Sequence, residues 1–142
     1  MNHHLISGER RLPLTEFHRH TQQIASGLVE VGIAEGDSVA LLLRNDIAFL
    51  EATFGAALIG AYSVPINWHF KQAEIQYVLD NCDAKVLVAH SDLTSKLPLT
   101  LAEQFEVFVV PTPPEIQLAY ALTDEECAPG DGSVIWDTWW QQ

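Results

Sequence analysis

Three polar clusters carry the residue types that chemistry needs: Arg44-Asn45-Asp46, Asn67-Trp68-His69 and His90-Ser91, with Pro111-Thr112 as a lesser fourth. Each follows an apolar run, so each falls just past the carboxyl end of a candidate strand, where open α/β sheets collect ligands. Asn67, Trp68 and His69 put an amide, a large flat ring and a titratable imidazole into one loop. That set suits a ligand held by hydrogen bonds and stacking. The competing account is structural: Trp68 packs and Asn67 satisfies turn backbone.

Other motifs fail on inspection. Gly55-Ala56-Ala57-Leu58-Ile59-Gly60 has the two-glycine spacing of a phosphate loop, but Ala61-Tyr62 stand where Lys and Ser or Thr are required. Its glycines also lie in and after a helical pattern rather than between strand and helix. No GxGxxG fingerprint of a dinucleotide fold occurs. His18 and His20, two apart on a helix, point to opposite faces, cannot share a metal and read as surface histidines. The six histidines and two cysteines show no zinc-ligand spacing. Ser7, Ser63 and Ser91 lack the flanking glycines of a nucleophile elbow. Asp124-Glu125-Glu126 reads as a solvated acidic face. A receiver-like signalling domain needs an acidic cluster after its first strand and a lysine after its last, and Pro111-Thr112 supplies none.

The elements that must position these clusters are legible in the hydrophobic pattern. Val39 to Leu43 is apolar on consecutive residues, which predicts a strand covered on both faces. A helix follows from about Ile47 to Ile59, with Asn45 or Asp46 as its cap and Gly60 suited to its left-handed end. Gly55 inside it costs roughly 1 kcal/mol of propensity, a cost that makes sense where a neighbouring backbone comes close. Tyr62 to Val64 is the next strand, so the stretch is a βαβ unit. A helix with Ile75, Val78, Leu79 and Cys82 on one face leads to a third strand, Lys85 to Ala89. A weaker helix in 92–105, interrupted at Pro98, leads to a fourth, Val107 to Val110. Strand starts are spaced about 23, 23 and 21 residues apart, which fits parallel pairing through crossover helices. An earlier helix runs from a Thr15 cap to Gly32.

The fold expected is therefore α/β, an open and mostly parallel sheet of about four strands with helices on both faces. Residues 1–13 read as a polar N-terminal arm on which no fold should be built, 14–112 as the α/β domain, and 113–142 as an extension with a Trp-rich end. Trp136, Trp139 and Trp140 share one face of a last helix, which docks on the domain or on a second copy, since large apolar patches mark contacts.

Composition narrows the class. At 142 residues, 48% apolar and 18% charged, the chain is one globular domain by prior. Seven basic against 19 acidic residues, net −12, argue against nucleic acid or an anionic membrane as partner. Cys82 and Cys127 are too few for a disulfide framework and read as free thiols of a cytoplasmic protein. Met1 to Leu14 lacks the apolar core of a secretory signal, and Ile47 to Ile66, broken by Glu51 and Gly60, reads as core rather than a membrane span.

Leu14-Thr15-Glu16-Phe17, Gly36 to Asn45, Phe54 to Ala61, Val64 to Phe70, Glu74-Ile75 and Ala84 to Ala89 stand in the order found in AMP-forming acyl-CoA synthetases, which the chain resembles from about Leu12 to Val110. The resemblance implies a ligase that joins a carboxylic acid to CoA through an acyl-adenylate, using ATP and Mg²⁺. It implies only the first part of the large N-terminal domain of such an enzyme. The Thr/Ser/Gly-rich loop ending in Pro-Lys, the aromatic-Gly-x-Thr-Glu and Thr-Gly-Asp motifs and the C-terminal lysine would come after Gln142. No catalytic or metal residue is therefore expected here, no cofactor is expected to bind this chain alone, and no acyl-adenylate is expected from it. In relatives the position of His69 is often arginine and approaches the phosphates of CoA; a neutral histidine would hold them more weakly. Lys71 stands where relatives have a Thr or Ser cap, a loss of about 1 kcal/mol. His69 and Lys71 are thus candidate CoA contacts, with Asn67 and Trp68 as crevice residues. Two readings follow: a ligase piece supplying scaffold and part of the acyl/CoA channel and partnered by the remainder of the enzyme, or a stand-alone non-catalytic interaction module of the same fold.

Overall fold

In the computed structural model residues 2–98 and 100–142 are described; Met1 of the expected arm and Leu99 of the expected 92–105 helix lie outside the described residues. β3 (Ser38–Leu42), β4 (Tyr62–Pro65), β5 (Ala84–His90) and β6 (Glu106–Val110) are the four expected strands. They pair in parallel with a fifth, β7 (Val134–Ile135), in the order β4-β3-β5-β6-β7. Alternate residues of β3 serve opposite cores, which explains its unbroken apolar run. Val39 and Leu41 join Ile24 and Leu28 of α1 (Leu14–Glu30) and Ala52 and Ala56 of α2 (Ile47–Leu58). Ala40 and Leu42 join Ile75 and Leu79 of α3 (Gln72–Cys82) on the other face. The expected architecture, a parallel sheet flanked by helices, is borne out.

Local chemistry sets the element ends. Asp46 caps α2 by accepting the Ile47 N–H at 2.7 Å, and Gly60 turns the chain at φ +74°, where a side chain is disfavoured. α1 begins at Leu14 behind Pro13, one residue before the cap expected at Thr15, and the Leu14 N–H is satisfied by the His3 carbonyl at 2.9 Å.

Three expectations need correction. The polar arm, on which no fold was to be built, is folded from residue 4: β1 (His4–Ser7) and β2 (Arg10–Pro13) form an antiparallel hairpin. The segment 92–105 is not one weak helix but two 3₁₀ turns, Ser91–Lys96 and Leu101–Glu103. Leu97, before Pro98, is forced to an extended ψ of 145°. The last third is more ordered than expected. It contains α4 (Pro114–Ala119), α5 (Asp124–Cys127), β7 and α6 (Trp136–Trp140). Trp136 and Trp140 are buried. Trp139 stacks on Phe108 at 3.9 Å and fills the space left by Gly27, where a Cβ would meet its ring at 2.9 Å. The tryptophan face thus packs in large part on α1 and β6 of the same chain. Among the described residues no helix is long and apolar enough to cross a membrane.

Candidate functional site

The carboxyl edge of β3, β5 and β6 brings the expected clusters together and fixes them with a buried polar network. His90, fully buried, accepts the Arg44 N–H on Nδ1 at 2.9 Å, so its ring proton sits on Nε2 and is donated to Asp46 Oδ2 at 2.8 Å. Arg10 of the hairpin reaches Asp46 as well and also pairs with Glu115 of α4. Burial pushes the Asp46 carboxyl up, but the hydrogen bonds from His90 and Arg10 outweigh it and hold it below its usual range. Beside it, Arg44 donates Nε and Nη2 to Asp92 Oδ2 at 3.0 and 2.8 Å, and Thr112 Oγ1 donates to Asp92 Oδ1 at 2.7 Å. Ser91 Oγ accepts the Thr112 N–H at 2.9 Å and donates to the Cys127 carbonyl, which ties α5 to the edge.

Every reactive group in this network is already engaged. Both nitrogens of His90 are spent on Arg44 and Asp46, and the Ser91 hydroxyl is spent on a carbonyl. The network therefore builds a rigid floor and offers no free base or nucleophile.

Above that floor lies an aromatic layer. The Arg44 guanidinium sits 4.3 Å from the Trp68 ring centre and 4.2 Å from that of Tyr120, with the two rings edge to face at 5.2 Å. Such partly exposed contacts are worth about 0.5–2 kcal/mol each. The exposed His69 ring stacks on Trp68 at 3.6 Å. Asn67 Oδ1 accepts the His69 N–H at 2.9 Å, the turn-forming role set against a ligand role in the sequence. Lys71 is exposed at the start of α3, where its backbone N–H donates to Glu74 Oε2 at 2.8 Å. Its ammonium cannot accept the return bond a Thr or Ser would take, so half of the capping arrangement remains. Asp92, Tyr120, Arg10 and Glu115 escaped the sequence reading. Asp92 was adjacent to His90-Ser91, while the other three arrive through contacts far apart in the chain.

His20 is not the surface histidine expected; His18 is exposed. His20 Nδ1 lies 2.6 Å from Oε2 of buried Glu51, beneath the Trp140 ring at 4.5 Å. Burial, reinforced by Asp137 and Asp46, pushes Glu51 up to about 8. Burial, with Arg19 adding, pushes His20 down. At neutral pH the Glu51 O–H therefore donates to His20 Nδ1. Glu51 was visible in the sequence as the one charge in an apolar helix, but nothing in the pattern named its partner. Among the described residues no cluster of His, Cys, Asp and Glu is placed to hold a metal ion.

Comparison with known proteins places these features in context. The family model for AMP-binding enzyme matches residues 2–133. The chain is 33% identical over 122 residues to 4-coumarate–CoA ligase 3 of Arabidopsis thaliana, an alignment covering 84% of this chain and 22% of the relative. Among solved structures, the anthranilate CoA ligase AuaEII in complex with anthranoyl-AMP superposes with a TM-score of 0.76 at 20% identity, over 96% of this chain and 24% of that one, a likeness of fold. A fatty acyl CoA synthetase of Mycobacterium tuberculosis is 33% identical with a TM-score of 0.56, over 58% of this chain and 16% of the other. The chain spans about a fifth of the length of the curated relatives it matches.

Proposed function

The chain belongs to the AMP-binding enzyme family, and we propose that it supplies the scaffold and one wall of the acyl/CoA channel of an ATP-dependent acyl-CoA ligase. The observation that carries this reading is the His69 ring, exposed and stacked on a Trp68 that rests on buried Arg44, at the carboxyl edge of the parallel strands. A ring held this way is pre-positioned toward a ligand at little entropic cost. His69 contacts the nucleotide end of CoA, with Lys71 adding charge. Replacing His69 by Ala in a full-length ligase is expected to raise KM for CoA several-fold with kcat little changed; an unchanged KM overturns the assignment.

ATP and Mg²⁺ belong to the family's chemistry, in which ATP activates the acid as an adenylate. This sequence contains no Thr/Ser/Gly-rich loop ending in Pro-Lys, so no cradle of backbone N–H groups for the phosphates is offered by its own residues. The 142-residue chain by itself is accordingly inactive, and acyl-adenylate formed by the purified chain from acid and ATP overturns that statement. The free thiols Cys82 and Cys127 support a cytoplasmic setting.

A second reading, a non-catalytic interaction module of the same fold, is favoured by the outer face of α2. Leu50, Phe54 and Leu58 form an exposed stripe there, while the helix's only ionisable side chain, Glu51, is buried. Co-expression with a chain carrying the missing phosphate loop separates the two. Restored ligase activity supports the first reading, and a stable complex without activity supports the second.

A further inference from the structure

The channel reading makes no use of the His20–Glu51 pair. The pair joins α1 to α2, with Glu51 buried and His20 half-buried, and opens on a cavity of about 510 Å³ that Asp137, Trp140, Arg10 and Arg11 also line. Its charged surroundings come from every packed element. Asp137 faces it from α6, Asp46 from the start of α2, and Arg10 from β2. Arg10, held by Asp46 and Glu115, offsets these carboxylates only in part. On α1, Glu16 Oε2 lies 3.8 Å from His20 Nε2 and is itself paired with Arg19 at 2.7 Å.

We propose that the proton held between Glu51 and His20 latches α6 onto α1, and that its loss to solvent loosens α6. With the proton in place, Glu51 O–H donates to Nδ1 and the imidazole keeps its own proton on Nε2, toward Glu16. When hydroxide entering through the cavity removes one proton as water, the imidazole's remaining proton shifts to Nδ1 and is donated to the new carboxylate. Nε2 then has nothing to offer Glu16, and the cavity holds one more negative charge facing Asp137. Of the elements around it, α6 is the one able to yield. It has five residues and follows a two-residue strand, whereas α1 and α2 have 17 and 12 residues and interlock around Gly55. The position of Glu51 near 8 places the release just above neutrality.

Three of the four tryptophans lie in α6, so the 142-residue chain reports its own release. Its tryptophan emission is expected to shift to the red between pH 7 and 9 with a midpoint near 8. Amide protection of residues 136–142 falls over the same range. Glu51→Gln, which keeps a donor toward Nδ1 and cannot ionise, is expected to give a flat profile. A flat wild-type curve, or the same transition in Glu51→Gln, overturns the proposal. Asp137→Asn guards against a Glu51 variant that does not fold: removing the facing carboxylate moves the midpoint to lower pH, and an unmoved midpoint also overturns it.

Discussion

Gly55 of α2 lies so close to Ile24 of α1 that a Cβ built on it would stand 2.5 Å from Ile24 Cγ2 and 3.0 Å from Ile24 Cβ. Both helices can therefore settle on the same face of the sheet. Helix propensity alone makes Gly55→Ala favourable by about 1 kcal/mol, whereas overpacking a core contact costs about 1–3 kcal/mol. The clash involves a branched carbon fixed to the backbone, so the second effect wins. Gly55→Ala is expected to lower Tm by roughly 3–6 °C. Thermal unfolding by circular dichroism decides it, and a raised Tm would mean α1 shifts freely.

Arg44 is the next test. Its side chain is 8% exposed, and the Trp68 and Tyr120 rings both lie against its guanidinium. Arg44→Lys keeps the charge opposite Asp92 but loses the two-pronged donation and the ring contacts, for about 2 kcal/mol. Arg44→Ala strands a buried carboxylate and is expected to cost about 3–5 kcal/mol. Urea midpoints of the two variants should fall in that order; a Lys variant equal to wild type would show that the rings contribute nothing.

The parallel sheet could be read from the sequence because its cause is local. Val39 to Leu43 and Val86 to Ala89 are apolar on consecutive residues, and Gly60 marks a turn by its own backbone needs. What escaped has non-local causes. The β1–β2 hairpin is short and polar, and it is fixed by Arg10 reaching Asp46 and Glu115. β7 has two residues and exists because Phe108 and Val109 pair with it. The tryptophan face shows its apolarity in the sequence, but which surface covers it depends on the space that Gly27 leaves on α1. The site divides the same way: the positions of Trp68 and His69 followed from the strand ends, while Tyr120 and Asp92 enter only through folding.

Ala121 sits at φ +52° at the end of α4. The Ala121 and Leu122 N–H groups bond back to the Leu118 and Gln117 carbonyls at 3.3 and 2.9 Å, the closed helix end that favours glycine at this position. An L-residue there costs about 1–2 kcal/mol, and glycine returns about 0.4–1 kcal/mol of that through unfolded-state entropy. Ala121→Gly is therefore expected to stabilise the chain by about 0.5–1 kcal/mol. A destabilised variant in urea would show that the methyl group packs usefully.

Asp46 sets the acid limit of the fold. Its carboxyl is 1% exposed, and burial, which alone would raise its pKa, is outweighed by His90 and Arg10, so the folded value lies below the unfolded one. A carboxyl of this kind contributes its full stability above the unfolded value of about 3.9 and loses it as pH falls through the folded value. Asp46→Asn can still accept the Ile47 N–H but cannot pair with Arg10. Because Arg10 is about one-third exposed, the loss at pH 7 is placed at the lower end for a partly buried pair, about 2 kcal/mol. The gap between wild type and variant is expected to shrink as pH falls below about 4, the variant giving the flatter curve. Urea midpoints measured from pH 7 down to pH 2 test this. A gap that stays constant with pH would mean that Asp46 acts through its shape as a helix cap, with its charge contributing nothing.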